Sequence, residues 1–66
     1  MPIDTKALAQ RLAAIRVLVV DDEHYMRKVV RTMLMGLGVR DILEASDGPT
    51  GLDLIRSATP DVVILD

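Results

Sequence analysis

The 66-residue sequence has room for one domain, and half of it is hydrophobic although Tyr25 is its only aromatic residue. The core must be built from Val, Leu, Ile, Met and Ala, and a chain this short buries too small a share of its surface to be more than marginally stable as a monomer. There is no cysteine and one histidine, His24, which excludes disulfides, thiolate metal sites and a histidine cage. Eight basic and ten acidic residues are well mixed, for a net charge of −2, which argues against a nucleic-acid or anionic-membrane surface. MPIDTKALAQ has no apolar leader core, and no run approaches the ~20 residues of a membrane span, so a soluble cytoplasmic protein is expected.

Asp4 to Ala14 reads as a short helix, with Asp4 placed to cap it and Ile3, Leu8, Leu12 and Ile15 approximating one apolar face. Residues 1–15 form a helical extension ahead of the body of the domain at 16–66. Arg16 to Val20 (RVLVV) is a continuous run with no polar alternation, the mark of a strand buried on both faces. Asp21 and Asp22 end it.

From about Glu23 to Met35 the spacing turns helical. Met26, Val29, Val30, Met33 and Leu34 share a face, while Arg27, Lys28 and Arg31 point away as a solvated basic set. Gly36 and Gly38 supply the stop that helix C-termini favour. Asp41 to Ala45 (DILEA) is a shorter, weaker strand. Ser46-Asp47-Gly48-Pro49 is a turn, with Pro49 near the first position of a helix carrying Leu52, Leu54 and Ile55. Thr59-Pro60 breaks that helix, and Asp61 introduces VVIL, a second fully apolar strand closed by Asp66.

The order is helix, then strand–helix–strand–helix–strand. Alternation of this kind with buried strands predicts the α/β class, a parallel sheet with helices on both faces. There is no internal repeat, low-complexity tract or interdomain linker.

Two apolar strands end in acid: the first in Asp21-Asp22, the last in Asp66. Open α/β sheets bind ligands at the carboxyl ends of their strands. If these strands are neighbours, three carboxylates are expected within a few ångströms, each ionised pair repelling by about 4 kcal/mol at an effective dielectric near 20. A hard divalent cation with oxygen ligands relieves that repulsion, and Mg²⁺ suits a shell shared with water and phosphate. With a metal on the first-strand pair, the carboxylate of the last strand can act as a nucleophile toward a phosphoryl group.

VLVVDDEHYMRKVVRTMLMGLGV, EASDGPTGLDLI and PDVVILD together resemble the CheY-like receiver domain of two-component systems. The resemblance covers Ile15 to Asp66. It rests on the acidic pair, on Arg27 five positions after Asp22, on the EA-x-DG turn and on the PD-x-x-x-x-D strand. It implies a flavodoxin-like, doubly wound parallel sheet, here three strands in the order 2-1-3 with an added N-terminal helix. It also implies Asp66 as phosphoacceptor, Asp22 as a direct Mg²⁺ ligand, Asp21 as a helper through water, and a histidine kinase or small acyl phosphate as donor. The family has five strands, with a hydroxyl residue ending the fourth and a lysine ending the fifth. The sequence matches the N-terminal half only. Phosphoryl chemistry at Asp66 is therefore expected to be impaired, and the chain is expected to be a phosphoacceptor rather than a turnover enzyme.

Plainer readings stand beside these. Asp21-Asp22-Glu23 can cap the following helix as well as hold metal. His24 reads as a solvated helix residue, Gly36-Leu37-Gly38 as a C-cap rather than a nucleotide loop, and Met26, Met33 and Met35 as core. The basic helix face doubles as a minor candidate for kinase docking. A haloacid-dehalogenase-type site would need Asp where Glu23 stands.

The third strand should present an open apolar edge, which predicts self-association, most simply a homodimer joined at that edge or by swapped elements. Two functions remain: a Mg²⁺-dependent phosphoacceptor, or a receiver scaffold kept only as a self-associating interaction module.

Overall fold

The run Arg16–Val20 forms β1, the central strand of a three-stranded parallel sheet ordered β2-β1-β3, in a computed structural model that describes residues 4–66. The elements follow as α1 (Thr5–Ala14), β1, α2 (His24–Leu37), β2 (Asp41–Ala45), α3 (Gly48–Ala58) and β3 (Val62–Leu65). Ile3, assigned above to the apolar face of α1, lies outside the described residues.

Because β1 is flanked on both sides and covered on both faces, Val17, Leu18, Val19 and Val20 are all buried. Alternation along the strand divides them between two half-cores. Val17 and Val19 join Val39 beneath Leu12, Ile15, Val30 and Leu34, so α1 and α2 cover one face. Leu18 and Val20 join Ala45 beneath Leu54 of α3 on the other. This is the doubly wound arrangement, and the parallel order 2-1-3 follows from it.

The helix ends are set by local chemistry. Asp4 Oδ1 accepts from the backbone N–H groups of Lys6 and Ala7, each at 3.1 Å, and so caps α1. Asp47 accepts from the Thr50 N–H at 2.7 Å and caps α3, with Pro49 in its first turn. At the far end of α2 only one of the two expected glycines acts as a stop. Gly38 takes the left-handed conformation, φ 107°, and donates to Met35 O at 3.0 Å, while Val39 donates to Leu34 O at 3.0 Å. Gly36 lies inside the helix, which runs two residues beyond the predicted Met35.

Helical spacing also overstated the core. Met33 and Met35 are exposed, contrary to the core role expected of them, because the line of α2 that meets the sheet runs through Val30 and Leu34. Met26 is likewise on the exposed side, as are Leu52 and Ile55 on α3.

At the amino end of the sheet Arg16 ties three segments together. Its Nε donates to Asp41 at 2.8 Å and its Nη1 to the Ala58 carbonyl at 2.6 Å, while its backbone N–H meets Asp61 Oδ2 at 2.8 Å. The opposite end of the sheet carries Asp21, Asp22 and Asp66.

Candidate functional site

The strand register sets the geometry of this end. Val20 pairs with Ala45 on one side and with Leu65 on the other, so Asp21 and Asp66 each lie one residue beyond a paired position on neighbouring strands. Two backbone bonds hold that alignment: Asp21 N–H to Ala45 O at 3.1 Å, and Asp66 N–H to Val20 O at 3.2 Å.

Asp21 is the buried charged residue of the described chain, 5% exposed. Burying a carboxylate is costly unless it is hydrogen-bonded, and its Oδ1 accepts from the Glu23 N–H at 2.9 Å. This bond closes a turn of the kind that aspartate side chains make with backbone two residues on. Asp22 and Asp66 are exposed.

The three acids are not drawn into a preformed cluster, and one expectation, on capping, needs correction. Among the described residues no group of three acidic or histidine side chains stands close enough to hold a metal ion. The strand ends bring the backbones together, but Asp21 spends one oxygen on its own turn and Asp22 is exposed beyond it. Nor do the acids cap α2 through their side chains: the N-cap is Glu23, which makes no side-chain cap bond, and the first turn holds no acid. The donors are still of the right kind for Mg²⁺, hard carboxylate oxygens at adjoining strand ends with one of them buried. Asp21 and Asp66 are the pair that the register sets side by side.

Arg27 is the residue that periodicity misplaced. Instead of facing solvent it is 14% exposed at the side chain. Its Nη1 donates to the Asp21 carbonyl at 2.7 Å, its Nε lies 3.5 Å from Glu44 Oε1, and its Nη2 lies 3.2 Å from His24 Nδ1. Arg31 reaches the other Glu44 oxygen at 3.1 Å, and only Lys28 of the basic set is left without an ion pair among the described residues. The signal for this was present in DILEA: strand alternation puts Glu44 on the face of Ile42, the face that α2 covers. His24 is exposed at the start of α2, as expected.

An open parallel α/β sheet with aspartates at the carboxyl ends of its central strand and one neighbouring strand defines a class that handles ligands at that edge. Comparison with known proteins narrows it. The family model described as "Response regulator receiver domain" matches residues 17–66, and the chain belongs to that family of two-component signalling proteins. It is 49% identical over 53 residues to protein-glutamate methylesterase/protein-glutamine glutaminase 2 of Nitratidesulfovibrio vulgaris, covering 79% of this chain and 14% of that protein. It is 47% identical over 51 residues to the probable transcriptional regulator ycf27 of Guillardia theta, covering 77% of this chain and 20% of the relative. It is 35% identical over 51 residues to chemotaxis protein CheY of Pseudomonas aeruginosa, covering 77% of this chain and 41% of the relative. The chain thus spans less than half the length of these curated relatives. No solved structure gives a significant match. No helix among the described residues is long and apolar enough to cross a membrane.

Proposed function

We propose that the chain is a phosphoacceptor of cytoplasmic two-component signalling, with Asp66 as the residue that takes the phosphoryl group. The observation that carries this reading is the register that sets Asp66, at the end of β3, beside the buried Asp21 at the end of β1. A carboxylate oxygen of Asp66 attacks phosphorus, the P–N bond of a kinase phosphohistidine breaks, and an acyl phosphate forms as the imidazole leaves. Asp21, Asp22 and Asp66 do not stand as a preformed cluster and would have to close around Mg²⁺ to hold it; when bound, the ion offsets the negative charge of acids and phosphate. The turn closed by Asp21 Oδ1 and the Glu23 N–H keeps the first two acids at the rim of β1.

The test is intact mass after incubation with a small acyl-phosphate donor, with and without Mg²⁺. One added phosphoryl group, labile to hydroxylamine and missing both without Mg²⁺ and in Asp66→Asn, is the expected result. Label that persists in Asp66→Asn, or no label under any condition, overturns the assignment.

A second reading is favoured by a different observation. β3 pairs on one side only among the described residues, and Val62, Val63 and Leu65 are exposed along it. In this reading the receiver scaffold serves as a self-associating interaction module without phosphoryl chemistry. A folded dimer indifferent to Mg²⁺ and to phosphodonor supports it over the first.

A further inference from the structure

We infer that Arg27 is a positioning residue for the carboxylate site, fixing the peptide that joins Asp21 to Asp22, with Glu44 holding the guanidinium in place. The inference rests on the phosphoacceptor reading for its purpose and on the following geometry for its substance. No residue of α2 is fully buried, yet the side chain of Arg27 is 14% exposed and turned toward the end of β1. Its Nη1 donates to the Asp21 carbonyl at 2.7 Å, short enough for a charge-assisted bond.

That carbonyl belongs to the peptide unit between Asp21 and Asp22. Its orientation sets the direction in which the Asp22 side chain leaves the backbone. Asp21 is thereby held at three points: its N–H by Ala45 O, its Oδ1 by the Glu23 N–H, and its carbonyl by Arg27.

Fold stability alone does not account for the arrangement. Arg27 Nε is sealed from solvent without a hydrogen-bond partner, and its nearest acid, Glu44 Oε1, stands at 3.5 Å. A buried guanidinium with a donor unpaired is often no more stabilising than an apolar side chain of similar volume. What the guanidinium provides, and an apolar chain would not, is a donor aimed at one carbonyl. Outer-shell groups of this sort, which orient a ligand without touching the metal, typically change metal affinity by about 10- to 100-fold when removed.

The test uses the full chain as Arg27→Met, with Glu44→Gln as a milder variant that keeps the guanidinium but loosens it. Two quantities are read: Mg²⁺ affinity by titration with the metal alone, and amide hydrogen exchange of Glu23 and Leu18 in metal-free protein. Exchange at Leu18, in the central strand, reports global opening, whereas Glu23 reports the turn. The expected result is about 10-fold or greater weakening of Mg²⁺ binding in Arg27→Met, with faster exchange at Glu23 and none of that change at Leu18. Glu44→Gln shifts both quantities in the same direction by less. Unchanged Mg²⁺ affinity in Arg27→Met, or exchange that rises together at Glu23 and Leu18, overturns the proposal and leaves a purely structural ion pair. If the unaltered chain shows no measurable Mg²⁺ binding, the phosphoacceptor reading fails instead, and the Glu23 exchange still decides the role of Arg27.

Discussion

A Cβ added to Gly51 would stand 2.9 Å from Val20 Cγ2, closer than carbon atoms in contact can approach. Gly51 is buried in α3, and its missing side chain lets the helix lie directly on the central strand one residue before Asp21. Val20 is β-branched and buried, so its methyl cannot swing away without leaving its rotamer. Overpacking of this kind costs about 1–3 kcal/mol. Replacing glycine with alanine in a helix returns up to about 1 kcal/mol. Gly51→Ala is therefore expected to lower stability by about 1 kcal/mol in urea denaturation. Gly36 is the control, since a Cβ there meets nothing within 4 Å. Gly36→Ala should raise stability by about 0.5–1 kcal/mol. A Gly51→Ala chain as stable as the parent would show that α3 is free to shift on the sheet.

The cap of α3 carries a pH dependence with a definite sign. The carboxyl of Asp47 is held below its ordinary value of 3.8, first by the backbone N–H of Thr50, then by the Thr50 hydroxyl, against a smaller opposing effect of burial. A group whose folded value is depressed stabilises the fold above its unfolded value and loses that contribution as pH falls through the folded one. The contribution of Asp47 is thus complete at neutral pH and disappears on acidification below 3.8. Asp47→Ala should lower the denaturation midpoint at about pH 7, and the difference from the parent should shrink at about pH 3. A deficit that is equal at both pH values would mean that the carboxyl caps as well when neutral as when charged.

Much of the fold was legible because its strands are short, apolar and bounded by chain-breaking residues. Arg16–Val20, Asp41–Ala45 and Val62–Leu65 are each a strand over the residues expected. The resemblance to the receiver family supplied the order 2-1-3, which periodicity alone does not contain. The misses share a cause: spacing records where a side chain begins, not where it ends. Arg27 starts off the apolar line of α2, yet its long side chain carries the guanidinium back to Asp21 and Glu44. Met33 and Met35 satisfy a hydrophobicity pattern but sit off the contact line set by Val30 and Leu34. Gly36 resembles a stop, but only Gly38 adopts the positive φ that a left-handed cap requires. The same limit applies to the acids. Strand ends predicted which backbones would be neighbours, whereas the bond from the Glu23 N–H to Asp21 Oδ1 depends on a rotamer that no pattern encodes.

The edge of β3 offers a separate test of the self-association reading. Leu65 is 74% exposed, the most exposed residue of a strand that hydrogen-bonds to β1 alone among the described residues. Unprotected edges of this type pair with other strands, and a lysine on the edge is the device by which proteins discourage it. Because Leu65 buries little of its side chain within the chain, Leu65→Lys should change monomer stability by less than about 0.5 kcal/mol. It should nevertheless shift the protein toward the monomer in sedimentation velocity run over a concentration series. The parent chain should show a concentration-dependent dimer under the same conditions. If both sediment as monomers at every concentration, the exposed edge does not recruit a second copy and the interaction-module reading loses its support. If both dimerise equally, the contact lies elsewhere on the molecule, and the exposed residues of α2, Tyr25 and Met33, become the next to substitute.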